Sequence, residues 1–281
     1  MKSEVDFDIR AFQMKCLGVM DKFDALCREK GLRYYMACGT MLGAIRHKGF
    51  IPWDDDVDVY MPRPDYDRLM ENAAEWLPAP LKMVNCNSDI TFPHYFAKIE
   101  DESTTFIERA YLGHFGGIWI DIFPVDGITE CGLMRALHVR RFKFWRRLLY
   151  YVYRDPWKHG RTFGGFFISL VQRIVSKQYA HRKLQNVIRQ YGFETHNLLM
   201  PHNDKHKTFT HETLGDPTEY DFEGRKYFGV KDYDKYLTLI FGDYMTPPPP
   251  EQRVVHHNLV CCDLEHSYKD YMRSHGISED K

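Results

Sequence analysis

Asp54, Asp55, Asp56 and Asp58 place four carboxylates within five residues, inside the run Ile51-Pro-Trp-Asp-Asp-Asp-Val-Asp-Val59 whose flanks are apolar. Val57, Val59 and Tyr60 alternate with Asp56 and Asp58 as in a half-buried strand, where residues i and i+2 share a face about 7 Å apart. At an effective dielectric of about 20, two carboxylates at roughly that distance repel by about 2 kcal/mol, and a divalent cation between them reverses the sign. The spacing therefore predicts a cation site with Asp56 and Asp58 as ligands. A solvated acidic turn is the competing account. Trp53 and the valines argue against it, because acidic surface runs seldom carry such neighbours.

Other cation motifs fit less well. Asp54, Asp56, Asp58 and Asp65 fall in a calcium-loop register, but Val59 stands where the loop needs glycine, and Pro62 and Pro64 interrupt the rest. An EF-hand is excluded. The Asp-x-Asp of metal-dependent nucleotide-sugar glycosyltransferases normally follows a long nucleotide-binding α/β half, whereas 53 residues precede Asp54, so that reading stays as the alternative. His256-His257 and Cys261-Cys262 invite zinc, yet adjacent ligand pairs seldom turn both side chains inward.

The elements around the acidic run must aim it. Residues 6–30 repeat Ile9, Phe12, Cys16, Met20, Phe23 and Cys27 at helical spacing and stop at Gly31, which predicts an amphipathic helix with its apolar face in the core. Arg33–Ala37 reads as a short strand, Cys38-Gly39-Thr40 as a tight turn, and Met41–Arg46 as a short helix. Gly39 permits close approach of a phosphate, and the Thr40 hydroxyl with the N–H groups opening the helix supplies donors. Arg46, His47 and Lys48 lie between that turn and the acidic strand, where one of them meets a phosphate or the three merely offset the aspartates. Lys98 alternates with apolar residues in Tyr95-Phe-Ala-Lys-Ile-Glu-Asp and is a further phosphate or acceptor candidate, with a solvated strand lysine as its bland alternative.

Strand, Gly-Thr turn, short helix and Asp-Val-Asp-Val, in that order, resemble the nucleotidyltransferase fold, in which a third carboxylate stands on a later strand. Gly117-Ile-Trp-Ile-Asp-Ile-Phe-Pro124 is an apolar run with one charge, a costly place for an unpaired carboxylate, so Asp121 is expected to join the cation site unless strand-end backbone donors satisfy it. The longer string from Gly39-Thr-Met-Leu-Gly-Ala-Ile-Arg-His-Lys-Gly-Phe to Ile51-Pro-Trp-Asp-Asp-Asp-Val-Asp58 resembles the signature of the LicD family, which includes relatives of fukutin. Gly117–Gly127 agrees with it, as does Tyr233-x-x-Tyr-Leu with Phe241-Gly-Asp-Tyr-Met-Thr-Pro-Pro-Pro249, followed by Arg253 and His256.

The resemblance implies an α+β fold, a nucleotidyltransferase-like mixed sheet flanked by helices. It also implies transfer of a phosphorylated small alcohol, phosphocholine or an alditol phosphate, from a CDP-linked donor to a hydroxyl of a cell-surface glycan or its precursor. Asp56, Asp58 and Asp121 would then hold Mg²⁺ or Mn²⁺, with Asp121 bridging the ion or accepting the hydroxyl proton. Asp54 is as well placed for a supporting or acceptor-side role as for ligation, and Arg253 and His256 match family positions without a role that follows from their type. A non-catalytic glycan- or membrane-binding protein on the same fold stays open as a different class of function.

The 281 residues are 44% hydrophobic with a net charge of −1, enough for one large domain with an insertion. We divide them into a catalytic core at 1–130, a basic helical insertion at 131–200 and a C-terminal segment at 201–281 that packs back on the core. The near-neutral total hides an asymmetry, because residues 131–190 hold 14 Lys and Arg against the single acid Asp155, a net of +13. Leu133–Arg154 and Phe163–Arg189 read as two helices, too charged or too briefly apolar to span a bilayer. They are either a peripheral dock for a membrane surface or anionic acceptor, or an ordinary insertion with a solvated charged face. No nucleic-acid-binding motif accompanies the charge, so nucleic acid is not an expected partner. An acidic start without an apolar core and seven cysteines without framework spacing predict reduced thiols in a cytoplasmic enzyme, working at the inner face of the membrane if its acceptor is lipid-linked. The histidines at 202, 206 and 211 read as surface residues, the prolines at 247–250 as a stiff strap, and the tail from Ser267 as frayed.

Overall fold

In the computed structural model, which describes residues 8–108, 110–158, 161–203, 207–253 and 259–278, the N-terminal apolar stripe forms helix α1 (Ile9–Lys30). Asp8 caps it by accepting from the Ala11 N–H at 3.0 Å, and Gly31 closes it in the left-handed region at φ 62°. The chain then runs through β1 (Tyr35–Met36), α2 (Cys38–Arg46), β2 (Asp58–Pro62), α3 (Arg63–Trp76), β3 (Leu81–Val84), β4 (Ala97–Ile107) and β5 (Gly116–Ile128). Helices α4 (Gly132–Tyr153), α5 (Phe163–Ile174) and α6 (Lys177–Ile188) follow, then β6 (Leu198–Met200), β7 (Phe209–Thr210) and α7 (His211–Leu214). Hairpin β8 (Thr218–Phe222) and β9 (Arg225–Gly229), helix α8 (Tyr233–Phe241), β10 (Cys261–Asp263) and α9 (Tyr268–Ser274) complete the described chain.

One mixed sheet organises these elements in the order β10-β4-β5-β2-β1-β9-β8, with β3 on β4 and the β6–β7 pair continuing from β5. Strands β2 and β5 are parallel, as are β1 and β9, and the remaining pairings are antiparallel. The fold is α+β, a nucleotidyltransferase-like open sheet flanked by helices. Strand β5 is its centre because an almost continuous apolar run can be buried on both faces, with Ile118, Ile120, Ile122 and Val125 fully enclosed. A second apolar cluster joins Phe142, Leu149 and Val152 of α4 and Leu184 and Ile188 of α6 to Tyr95 and Phe96, so these basic helices pack against the β4 end of the sheet.

Several local expectations are corrected. The helix expected over 163–189 is two helices, because Ser176 offers a cap to the Tyr179 N–H at 3.1 Å and starts α6 afresh. Cys38-Gly39-Thr40 is the first turn of α2, and the strand pairing that was expected to include Asp56 begins only at Asp58. His202 is fully buried: its Nε2 lies 2.8 Å from that of His138 and its carbonyl accepts from the Tyr95 hydroxyl at 2.7 Å. His211 is half-buried against the Phe193 carbonyl at 2.9 Å, and residue 206 lies outside the described residues. The tail is ordered into α9, capped by Ser267, with Tyr268 and Met272 buried. All seven cysteines are free thiols, and Cys261 and Cys262 are consecutive on β10, which turns them to opposite faces of the sheet. Among the described residues no helix is long and apolar enough to cross a membrane.

Candidate functional site

Register decides which charges meet. Asp58 on β2 is paired with Asp121 on β5, and Asp121 with Lys98 on β4, so three strands present two carboxylates and an ammonium side by side on one face. Neighbouring backbones in a sheet are about 4.8 Å apart, close enough for one small cation to touch both carboxylates. Lys98 Nζ lies 3.4 Å from Asp121 Oδ1 and 3.7 Å from the centre of the Trp119 ring, two attractions that fix a nearly buried lysine in this row. The strand ladder supplies the rigidity: the Asp121 N–H donates to the Val57 carbonyl at 2.8 Å and the Ala37 N–H to the Asp58 carbonyl at 2.9 Å.

Helix α2 closes the other side of Asp58. Thr40 is buried and its hydroxyl accepts from the Asp58 N–H at 2.9 Å, which ties the first helical turn to the start of β2. Gly39 also lies against Asp54, whose carboxylate oxygen would collide with a Cβ on residue 39. Cys38 sits at φ 44°, unusual for a residue with a side chain, held by its N–H to the Tyr236 hydroxyl at 3.0 Å and by its thiol 3.4 Å from the Tyr60 hydroxyl. Asn203 donates to that same Tyr60 oxygen at 2.7 Å.

Burial raises the affinity of the Asp58 carboxyl for a proton well above the ordinary carboxylate range, and the charges of Asp56, Asp121 and Asp54 push it further. The cost comes from concentrated negative charge in a place with little water, which a divalent cation removes. Among the described residues no three candidate ligands already close around one point. The donors that fit an ion are Asp58 and Asp121, with Asp56 two residues before Asp58 in the chain, an all-oxygen set suited to a hard cation that keeps waters and takes further oxygens from a phosphate.

Asp58 of this row lines a cleft together with Cys38, Phe123, Tyr95 and Phe96 and, from the basic span, Arg146, Tyr150 and Arg154. The two arginines were not singled out in the sequence, where nothing distinguishes them by type from Arg140, Arg141 or Arg147 on the same helix. Cys38, Tyr60 and Asn203 were missed because their partners come from distant segments.

The other nominated residues lie elsewhere. Arg46 donates to the Tyr244 carbonyl at 2.7 Å, and burial followed by the nearby charge of Arg253 weakens its hold on its proton, while Asp54 opposes that effect. Arg253 lies over the Trp53 ring at 5.1 Å and donates to the Pro248 carbonyl at 2.8 Å. Arg46, Arg253, Trp53 and Asp54 thus form a cluster at the edge of the acidic segment. Lys48 is exposed, with its carbonyl accepting from the Glu223 N–H at 2.9 Å. His256 lies outside the described residues.

A model of the LicD/FKTN/FKRP nucleotidyltransferase domain matches residues 31–152, a span that holds the acidic segment, Lys98, Asp121 and Arg146. The lipopolysaccharide cholinephosphotransferase LicD of Haemophilus influenzae is 29% identical over 266 residues, covering 89% of this chain and 96% of that protein. Shorter stretches match two uncharacterized Rickettsia proteins: RP689 of Rickettsia prowazekii, 39% identical over 46 residues (16% of this chain, 17% of that protein), and RT0683 of Rickettsia typhi, 47% over 34 residues (12% and 11%). With the domain model laid over the carboxylate row and a similar cholinephosphotransferase aligned along nearly all of its length, residues 31–152 match the LicD-family nucleotidyltransferase domain.

Proposed function

We propose that the chain transfers a phosphorylated small alcohol of the phosphocholine type from a CDP-linked donor to a hydroxyl of a lipopolysaccharide-type glycan. The observation that carries this reading is the row Asp58, Asp121 and Lys98 on three adjacent strands, with Asp58 also lining a cleft that Arg146 and Arg154 line. The Haemophilus relative supports the transferase class and the choline and lipopolysaccharide chemistry by its name.

Cleaving a pyrophosphate in line is chiefly a problem of positioning and of charge on the transferred group and the departing CMP. A bound Mg²⁺ or Mn²⁺ would neutralise charge on the phosphate oxygens. In this reading Asp58 and Asp121 hold the ion, and Asp56 supplies the third carboxylate. Lys98, 3.4 Å from Asp121, orients that carboxylate, and we assign to Asp121 the proton of the attacking hydroxyl. Arg146 and Arg154 receive the donor phosphates, whose oxygens a guanidinium fork can bond in pairs. Thr40 and Gly39 position Asp58 and Asp54 rather than bind the donor. The work is assigned to the cytoplasmic face of a membrane, where CDP-linked donors and lipid-carried glycans meet.

The test is CMP release from CDP-choline, CDP-ribitol and CDP-glycerol, and nucleoside diphosphate release from nucleotide sugars, with lipopolysaccharide as acceptor and Mg²⁺ present. CMP release from a CDP donor is expected, reduced by at least about 10³-fold in a folded Asp58→Asn variant. UDP release from a nucleotide sugar without CMP from any CDP donor, or full activity in that variant, overturns the reading.

A further inference from the structure

Helix α5 carries Phe163, Phe166, Phe167, Leu170 and Ile174 at the spacing of a single apolar stripe, and the stripe faces outward: these side chains are 91%, 59%, 51%, 54% and 74% exposed. The helix is held by its other side. Gly165 and Ile168 are buried, and the Gln172 amide donates to the Tyr151 and Arg154 carbonyls at 3.0 and 2.7 Å, satisfying the end of α4. Gly165 is required there, because a Cβ would strike the Pro156 carbonyl. Trp157, 41% exposed and 5.2 Å between ring centres from Phe166, widens the apolar surface. Five large side chains contiguous on one helix exceed the scattered apolar exposure of ordinary protein surfaces.

The charges around this stripe say what covers it. Lys158, Arg161 and Arg173 are exposed beside it, and the whole span 131–190 holds a single acid. An apolar face framed by cations is complementary to an apolar layer beneath an anionic rim, the headgroup boundary of a bilayer containing acidic lipids. A second copy of the chain is the poorer match, because a two-fold contact through this face would bring two modules of net +13 against each other.

We propose that α5 is a membrane-docking helix, lying in the interfacial layer of an anionic phospholipid bilayer with its phenylalanines in the acyl boundary. The stripe is continuous with the cleft wall: Tyr151 meets Phe167 at 5.9 Å between ring centres, and its neighbours Tyr150 and Arg154 line the cleft above Asp58. Docking therefore brings the mouth of the cleft to the membrane surface. The proposal goes beyond the transferase reading and needs no substrate to be tested.

The full chain is mixed at low salt with phosphatidylcholine vesicles, with and without phosphatidylglycerol, and sedimented. Wild type is expected to pellet with the anionic vesicles and to be released by salt. A Phe163→Ser/Ile174→Ser variant, whose replaced side chains are largely exposed and whose fold is checked by circular dichroism, is expected to partition at least about tenfold more weakly. Failure of wild type to bind anionic vesicles, or equal binding by wild type and variant, overturns the proposal. So does a lipid-free dimer in sedimentation velocity that the variant abolishes, which would assign the stripe to a second copy.

Discussion

His114 bridges two carboxylates, with Nδ1 2.8 Å from Asp89 and Nε2 3.1 Å from Glu100. Burial works against its charge, but the Glu100 charge and the hydrogen bonds to both carboxylates outweigh it and raise it from 6.5 to about 9. Glu100 lies two residues from Lys98 on the same face of β4, so the imidazolium compensates Glu100 and leaves the Lys98 ammonium to Asp121. A group whose affinity for a proton is raised by folding stabilises fully below its unfolded value, here near 6.5, and loses that contribution as pH rises through about 9. Asp89 behaves in the opposite sense: burial opposes its charge, but His114 and Thr91 hold it down at about 2, so its contribution is lost only as pH falls toward that value. Urea unfolding at several pH values should show the gap between wild type and His114→Gln widest near about pH 6 and narrowing by up to about 3 kcal/mol toward about pH 10. A gap independent of pH would remove the imidazolium from this account.

At the scale of elements, α4 does two jobs on two sides. Phe142, Leu149 and Val152 bury it against Tyr95, Phe96 and α6, while Arg146 and Arg154 look into the cleft. An apolar stripe sets the rotation of an amphipathic helix, and the rotation then selects which basic residues face the site. Arg154 also lies 5.5 Å over the Tyr150 ring, which holds its guanidinium at the cleft wall. Steady-state kinetics of Arg146→Ala/Arg154→Ala should show a donor KM raised by roughly 10- to 100-fold with a smaller change in kcat, the signature of lost phosphate binding. An unchanged KM would place the donor phosphates elsewhere, and the Arg46 and Arg253 cluster would be the next candidate.

For the whole molecule, a buried polar relay ties segments far apart in sequence. Arg63 on α3 makes two 2.7 Å hydrogen bonds to Asp126 on β5, Asp126 lies 3.9 Å from His202, and His202 meets His138 on α4 at 2.8 Å. The C-terminal segment enters the same sheet, with β9 beside β1 and β10 beside β4. Removing one partner from a buried pair leaves a charge that cannot be solvated, so Arg63→Met should lower the unfolding free energy by about 3–5 kcal/mol. The double variant Arg63→Met/Asp126→Leu, which leaves no orphan charge, should recover most of that loss. Denaturant titration of both decides it, and equal losses in the two variants would contradict the pair's isolation from water.

Local pattern was enough to find α1, the acidic segment, the β5 run and the basic span 131–190, because a helical stripe with its glycine stop, a run of carboxylates and an apolar strand are properties of consecutive residues. It also nominated Asp58, Asp121 and Lys98, each an ionisable residue in an apolar setting. Pairing is a relation between segments 23 and 63 residues apart in the sequence, as between Lys98 or Asp58 and Asp121, and only the strand register set those three side by side. Burial followed the same rule: His202 reads as polar in its own neighbourhood and becomes core because α4 and β5 close over it. The outward stripe of α5 is the converse case. Its periodicity is that of a core helix, and the neighbouring α4 and α6, already satisfied by one another and by Tyr95 and Phe96, left it facing out.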